Sequence, residues 1–149
     1  MCIRDRSSSP AVADGLVYVG SNDNNLYCLD ASTGAVVWNY MTDGDVASSP
    51  AVADGVVFVG SYDKNLYAVD ASSGALLWSY TTLDKVISSP AVSDGAVYFG
   101  SYDHLVYAVG DSSQSPRFDK CSDLIASILI VVAIAIIAII AAVIVRRKR

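Results

Sequence analysis

The chain repeats itself every 40 residues without a gap. Pro10, Pro50 and Pro90 each lie in Ser-Ser-Pro-Ala-Val. Gly15, Gly55 and Gly95 follow Asp14, Asp54 and Asp94, and Gly20, Gly60 and Gly100 each precede a Ser. Asp23, Asp63 and Asp103 share one offset, Tyr27, Tyr67 and Tyr107 another, Trp38 and Trp78 a third. Ser7–Val46 is identical to Ala47–Val86 at 25 of 40 positions, the mark of tandem duplication. A period of this length confines the fold to architectures in which one small unit stacks on the next, because a single unit cannot bury its own apolar surface.

Each unit reads as short strands separated by turns. Leu16-Val17-Tyr18-Val19 is β-branched and aromatic, and Asp14-Gly15 before it is a type I′ hairpin signal, since both residues tolerate positive φ. The same holds for Asp54-Gly55 and Asp94-Gly95. Leu26–Asp30 is the next strand, then a turn through Ala31-Ser32-Thr33-Gly34, with Gly34 in a left-handed position, then Val36–Tyr40. Ser48–Ala53 opens the following unit, with Pro50 early in its strand. No part of 7–110 shows helical periodicity. Four short strands per 40 residues is the arithmetic of a β-propeller blade. Strands such as Leu16–Val19 and Ala96–Phe99 are apolar on both faces, which blade stacking requires and a sheet with one wet face does not.

The stretch Gly-Leu-Val-Tyr-Val-Gly-Ser-x-Asp-x-x-Leu-Tyr-x-Leu-Asp-Ala-Ser-Thr-Gly-x-x-x-Trp at 15–38, recurring at 55–78 and in part at 95–109, resembles the PQQ-type (pyrrolo-quinoline quinone) propeller repeat. In that family Ala-x-x-Gly-x-x-x-Trp is a docking motif between blades. The resemblance therefore implies blade packing for Ala31, Gly34 and Trp38, and for Ala71, Gly74 and Trp78. The third unit departs from the pattern: Gly110-Asp111-Ser112-Ser113 follows Val109 and no Trp comes after. The expected fold is all-β, a partial β-propeller with complete four-stranded blades at 7–46 and 47–86 and a three-stranded blade at 87–110. A C-terminal transmembrane α-helix is expected to follow.

Three blades fall short of the four to eight that close a propeller, so a longer parent chain is expected. Residues 1–6 resemble no blade, signal peptide or linker, and do resemble an in-frame translation of a sequencing adapter. They are read as an artefactual N-terminus, the alternative being a genuine six-residue tail. In closed propellers a strand from the N-terminal end often completes the last blade. Here that strand is expected upstream.

From Leu124 to Val145 only Ser127 is not apolar. As a helix that run spans ~33 Å at ~1.5 Å per residue, enough to cross the hydrocarbon core. Residues 111–123 are a polar linker, and Arg146, Arg147, Lys148 and Arg149 form a basic tail. The positive-inside rule puts that tail in the cytoplasm and the blades outside. The rival is a tail anchor with cytosolic blades.

Charge narrows the function. All 15 acidic residues are Asp, and between Ser7 and Asp123 fourteen of them face only Lys64, Lys85, Arg117 and Lys120. Such a surface repels phosphate backbones, so no nucleic-acid partner is expected. With His104 alone and no Glu, little material exists for acid–base catalysis. Cys2, Cys28 and Cys121 do not have the spacing of a zinc site or a disulfide framework. The loops 21–25, 61–65 and 101–104 carry one carboxylate each, against the six to eight oxygens calcium takes, and read as Asx turns.

The quinoprotein dehydrogenases of the family use a vicinal cysteine pair and a calcium-binding Glu, and neither residue set is present. No catalytic, metal or cofactor residue is therefore expected. The resemblance implies a scaffold, like the barrel-assembly lipoprotein of bacterial outer membranes, meeting a protein or surface polymer through polar and aromatic loops. The alternatives are a truncated quinoprotein dehydrogenase or the sensor domain of a signalling protein, with the active part upstream.

Overall fold

The computed structural model describes residues 8–110. They form three antiparallel sheets of four, four and three strands. Blade 1 comprises β1 (Ala11–Ala13), β2 (Leu16–Gly20), β3 (Asn25–Asp30) and β4 (Val36–Met41). Blade 2 comprises β5 (Ala51–Ala53), β6 (Val56–Gly60), β7 (Asn65–Asp70) and β8 (Leu76–Thr81). Blade 3 comprises β9 (Ala91–Ser93), β10 (Ala96–Gly100) and β11 (Val106–Gly110). Within each blade every strand pairs with its successor in the chain, and the short inner strands β1, β5 and β9 follow one another from blade to blade. This is the arc of a β-propeller. The positions of a fourth strand in blade 3, and the apolar run at 124–145, lie outside the described residues. Among the described residues no helix is long and apolar enough to cross a membrane.

Local chemistry accounts for the turns. Asp14 and Gly15 stand at φ 49° and 77°, between paired Ala13 and Leu16. Both positive angles mark the type I′ hairpin, and Asp54-Gly55 and Asp94-Gly95 repeat it. Gly34 and Gly74 stand at φ 71° and 73° at the end of the β3–β4 and β7–β8 turns. The pairing there slips by one residue between Cys28 and Leu29, and between Ala68 and Val69, so the outer strands bulge.

Pro50 corrects one expectation. It precedes the inner strand, which starts at Ala51. Proline has no N–H to give a ladder, and the serines before it serve the neighbouring blades instead. Ser48 donates to the Ser88 carbonyl at 2.9 Å, and Ser49 Oγ accepts the Ser9 N–H at 2.9 Å.

The cores lie between blades. Tyr18, Leu26 and Cys28 of blade 1 pack on Val57, Val59 and Val69 of blade 2. Phe58, Leu66 and Ala68 of blade 2 pack on Val97 and Phe99 of blade 3. Burying one such aliphatic side chain contributes about 1.5–3 kcal/mol. This explains the two-sided apolar strands: each blade supplies a face to both neighbours. Val46 and Val86, in the links between blades, are fully buried, and their backbones run so close to Gly20 and Gly60 that a Cβ would collide with each carbonyl.

Candidate functional site

Two constellations stand out, the seam between blades and the loop end of the arc. At the seam, the Trp38 indole Nε1 donates to the Ala71 carbonyl at 3.0 Å. The same oxygen accepts the Tyr18 hydroxyl at 3.2 Å. The Trp38 ring lies over Gly74, where a Cβ would come 2.8 Å from it. Thus Trp38 meets the Ala71 and Gly74 of the following blade. Trp78 packs on Phe58, ring centroids 5.8 Å apart, beside a cavity of about 500 Å³ between blades 2 and 3. The residues at the offsets of Ala71 and Gly74 in its next blade are Asp111 and Gln114, outside the described residues. Ala31 and Gly34 meet no tryptophan among the described residues, and a Cβ on Gly34 would touch nothing within 4 Å. Arg146, Arg147, Lys148 and Arg149 also lie outside them.

The loop end is where β2–β3 turns and blade-to-blade links converge. In the second and third of these turns one Asp works in three directions. Asp63 Oδ1 accepts the Asn65 N–H at 3.0 Å, the Asx turn. Its Oδ2 accepts the Tyr67 hydroxyl at 2.7 Å and the Asp43 N–H of the preceding link at 3.0 Å. Asp103 repeats this with Leu105 (3.0 Å), Tyr107 (2.7 Å) and the Leu83 N–H (3.1 Å). Asp23 makes the first two bonds, to Asn25 at 3.1 Å and Tyr27 at 2.9 Å. The carboxylate of Asp103 pushes the Tyr107 hydroxyl up to about 12. Burial, then the bond to Asp63, raises that of Tyr67. The residues after these aspartates, Asn24, Lys64 and His104, hold φ of 70°, 76° and 69°, so His104 occupies a turn.

At the other end of the blades, Asp30 Oδ1 accepts four hydrogen bonds from Ser32 and Thr33, at 2.6 to 3.0 Å. These donors, the Ser32 hydroxyl foremost, hold Asp30 at about 2, and Ser72 and Ser73 do the same for Asp70.

Sequence reasoning placed the aspartates and tyrosines at fixed offsets but did not join them. The signal was present: an Asp four residues before a Tyr, in every unit. It also missed Lys85, whose ammonium lies 4.9 Å from the Tyr62 ring centroid and 4.5 Å from that of Tyr102. The exposed surface of the loop end combines Tyr62, Leu83, Tyr102 and Leu105 with the polar Asn22, Asp23, Asp43, Lys64, Asp84 and His104.

Residues 4–109 match the family described as outer membrane protein assembly factor BamB, a PQQ-type repeat family. The chain belongs to this family. Among solved structures, the PQQ-type arc is similar to BamB from Moraxella catarrhalis, with TM-score 0.62 and 26% identity over 71% of this chain and 34% of that one. It is also similar to a quinohemoprotein alcohol dehydrogenase from Pseudomonas putida, with TM-score 0.66 and 27% identity over 74% of this chain and 20% of that one. The computationally designed Ika4 protein shares the fold, with TM-score 0.62 and 19% identity over 68% and 63% of the two chains. The chain thus spans about a third of the BamB it resembles. No match was found among curated proteins.

The quinone cofactor suggested by the repeat's name can be tested against the donors present. Cys28 is a single buried thiol at the seam, and the sequence contains no Glu. Among the described residues no three His, Cys, Asp or Glu side chains gather as a metal site. The donors among the described residues do not fit the group.

Proposed function

We propose that the chain is the blade-bearing part of a membrane-anchored, extracytoplasmic scaffold that binds a protein partner through its loop end. The observation that carries this reading is the division of labour at that end. Asp63 and Asp103 are spent on turns and on neighbouring blades, while aromatic and aliphatic side chains face solvent. Exposed Tyr and Leu on a rigid support suit contact with a protein, where aromatic residues are enriched. The BamB relative is by its name an assembly factor, which supports a scaffold over an enzyme. The apolar run 124–145 and the basic residues 146–149 support an anchor with the blades outside.

The test is site-specific photocrosslinking in membranes of the source cells. A crosslinker replacing Leu83 or Tyr102 should trap a discrete partner, and one at Ser72, at the opposite end of blade 2, should not. Equal trapping at both ends, or none, counts against the loop surface. Protease added to intact cells or spheroplasts should digest the blades. Protection there would favour the tail-anchored, cytosolic alternative.

The quinohemoprotein neighbour favours a second reading, an arc of a dehydrogenase. It requires a cysteine pair and calcium ligands from outside this chain. Quenching of Trp fluorescence by pyrrolo-quinoline quinone with calcium would support it.

A further inference from the structure

Each seam between described blades brings two phenols together. Tyr40, on the outer strand of blade 1, lies against Tyr67 of blade 2 with ring centroids 5.5 Å apart. Tyr80, at the same offset in blade 2, lies against Tyr107 of blade 3 at 5.6 Å. The rings are tilted by 58° and 60°, so the geometry repeats with the sequence. At the second seam Phe99 stacks on Tyr107 at 5.3 Å and steadies its ring, while Tyr80 is 38% exposed and open to a reagent in solution.

One phenol of each pair already has a base on its proton. Tyr67 donates to Asp63 and Tyr107 to Asp103, both at 2.7 Å, the short bond of a hydroxyl to a carboxylate. Loss of an electron makes a phenol strongly acidic. A carboxylate in place takes the proton as the electron leaves, so no unpaired positive charge is left in the seam, where it would be costly. Other tyrosines lack one part of this arrangement. Tyr27 has Asp23 at 2.9 Å but no second phenol against it among the described residues, and Tyr18 meets the indole of Trp38.

We propose that Tyr80 with Tyr107, and Tyr40 with Tyr67, are oxidative modification sites, which a peroxidase-type one-electron oxidant with hydrogen peroxide couples to dityrosine, stapling each blade to the next. Each phenol gives up one electron and its hydroxyl proton, which at Tyr67 and Tyr107 passes to the aspartate. The two radicals join through ring carbons beside the hydroxyls. The hydrogen on each joined carbon then shifts to the oxygen and restores both hydroxyls. One peroxide takes up the two electrons and two protons and leaves as two waters. The staple does not depend on the anchoring or partner reading above.

The test is peroxidase and hydrogen peroxide added to the full chain in detergent, dilute enough that links form within one molecule. After thiol reduction, trypsin cuts behind Lys64 and Lys85 and separates the three blades. Mass spectrometry should find peptide 65–85 joined to 86–117 through Tyr80 and Tyr107, and 7–64 joined to 65–85 through Tyr40 and Tyr67, each pair two hydrogens lighter and fluorescent as dityrosine. Tyr80→Phe should abolish the first link and spare the second. Asp103→Asn keeps both phenols and should slow the first link relative to the second in the same sample. Coupling through the exposed Tyr62 and Tyr102 instead, a link between 65–85 and 86–117 that survives Tyr80→Phe, or no link within one chain overturns the proposal. An unchanged rate in Asp103→Asn overturns the part given to the carboxylate.

Discussion

The Trp38 indole nitrogen donates to the carbonyl oxygen of Ala71, 33 residues along and one blade away, at 3.0 Å. The bond joins the outer strand of one blade to the turn of the next, and the indole ring covers Gly74.

Gly74→Ala and Gly34→Ala should therefore differ. Both residues sit at positive φ, which costs an alanine about 1 kcal/mol. At Gly74 the new Cβ also meets the Trp38 ring at 2.8 Å, whereas at Gly34 it meets nothing within 4 Å. Urea unfolding should show Gly74→Ala to be the more harmful by at least ~1 kcal/mol, the lower end of overpacking costs. The excess should shrink when Trp38→Ala is combined with it. Equal effects at the two glycines would remove the steric part of this account.

Trp38→Ala should destabilise by about 2–4 kcal/mol, somewhat less than a fully buried tryptophan, because the ring is only partly covered. Trp78→Ala should cost less. Trp78 is 36% exposed, borders a cavity, and has no hydrogen-bond acceptor among the described residues. Denaturant midpoints of the two variants decide the order.

Gly60→Ala should be severe, about 3 kcal/mol or more, because its Cβ would come 2.5 Å from both the Val86 carbonyl oxygen and the Cγ1 of that fully buried, β-branched side chain. Gly100→Ala should be mild. Its nearest neighbour would be the Ser88 hydroxyl at 3.6 Å. Thermal melting of the pair reads the difference directly.

Asp30 and Asp70 make stability depend on acid. Their folded-state values of about 2 lie below the 3.8 of an unperturbed Asp. The sign follows: their stabilisation is complete above about pH 4 and is lost as pH falls toward 2. Asp30→Asn should flatten the fall in melting temperature across that window. An unchanged slope would mean that the four bonds to Asp30 do not favour its charged form.

Tyr107 should ionise near pH 12 and not near the ordinary 10, because its hydroxyl donates a hydrogen bond to the Asp103 carboxylate at 2.7 Å. Asp103→Asn should return the ultraviolet titration of this tyrosine toward 10. The same variant should loosen the Leu83 link, which bonds to the same oxygen as Tyr107.

The covalent pattern alone announced a good deal of this molecule. A 40-residue period, Asp-Gly before each second strand and apolar runs on both strand faces are local facts, and they suffice for blades and their hairpins. The tripartite bonds of Asp63 and Asp103 were not legible, though both residues stood at visible offsets. Two of each carboxylate's donors come from its own turn and strand and the third from 20 residues away, and only blade stacking brings that N–H within reach. The strand start at Ala51 escaped for a similar reason: Ser48 and Ser49 answer to neighbouring blades, not to their own sheet. Period and turn chemistry are properties of adjacent residues and can be read along a line. Which tryptophan finds a glycine, which carboxylate is engaged and which face is left open depend on how one blade lies on the next, and that arrangement exists only once the chain is folded.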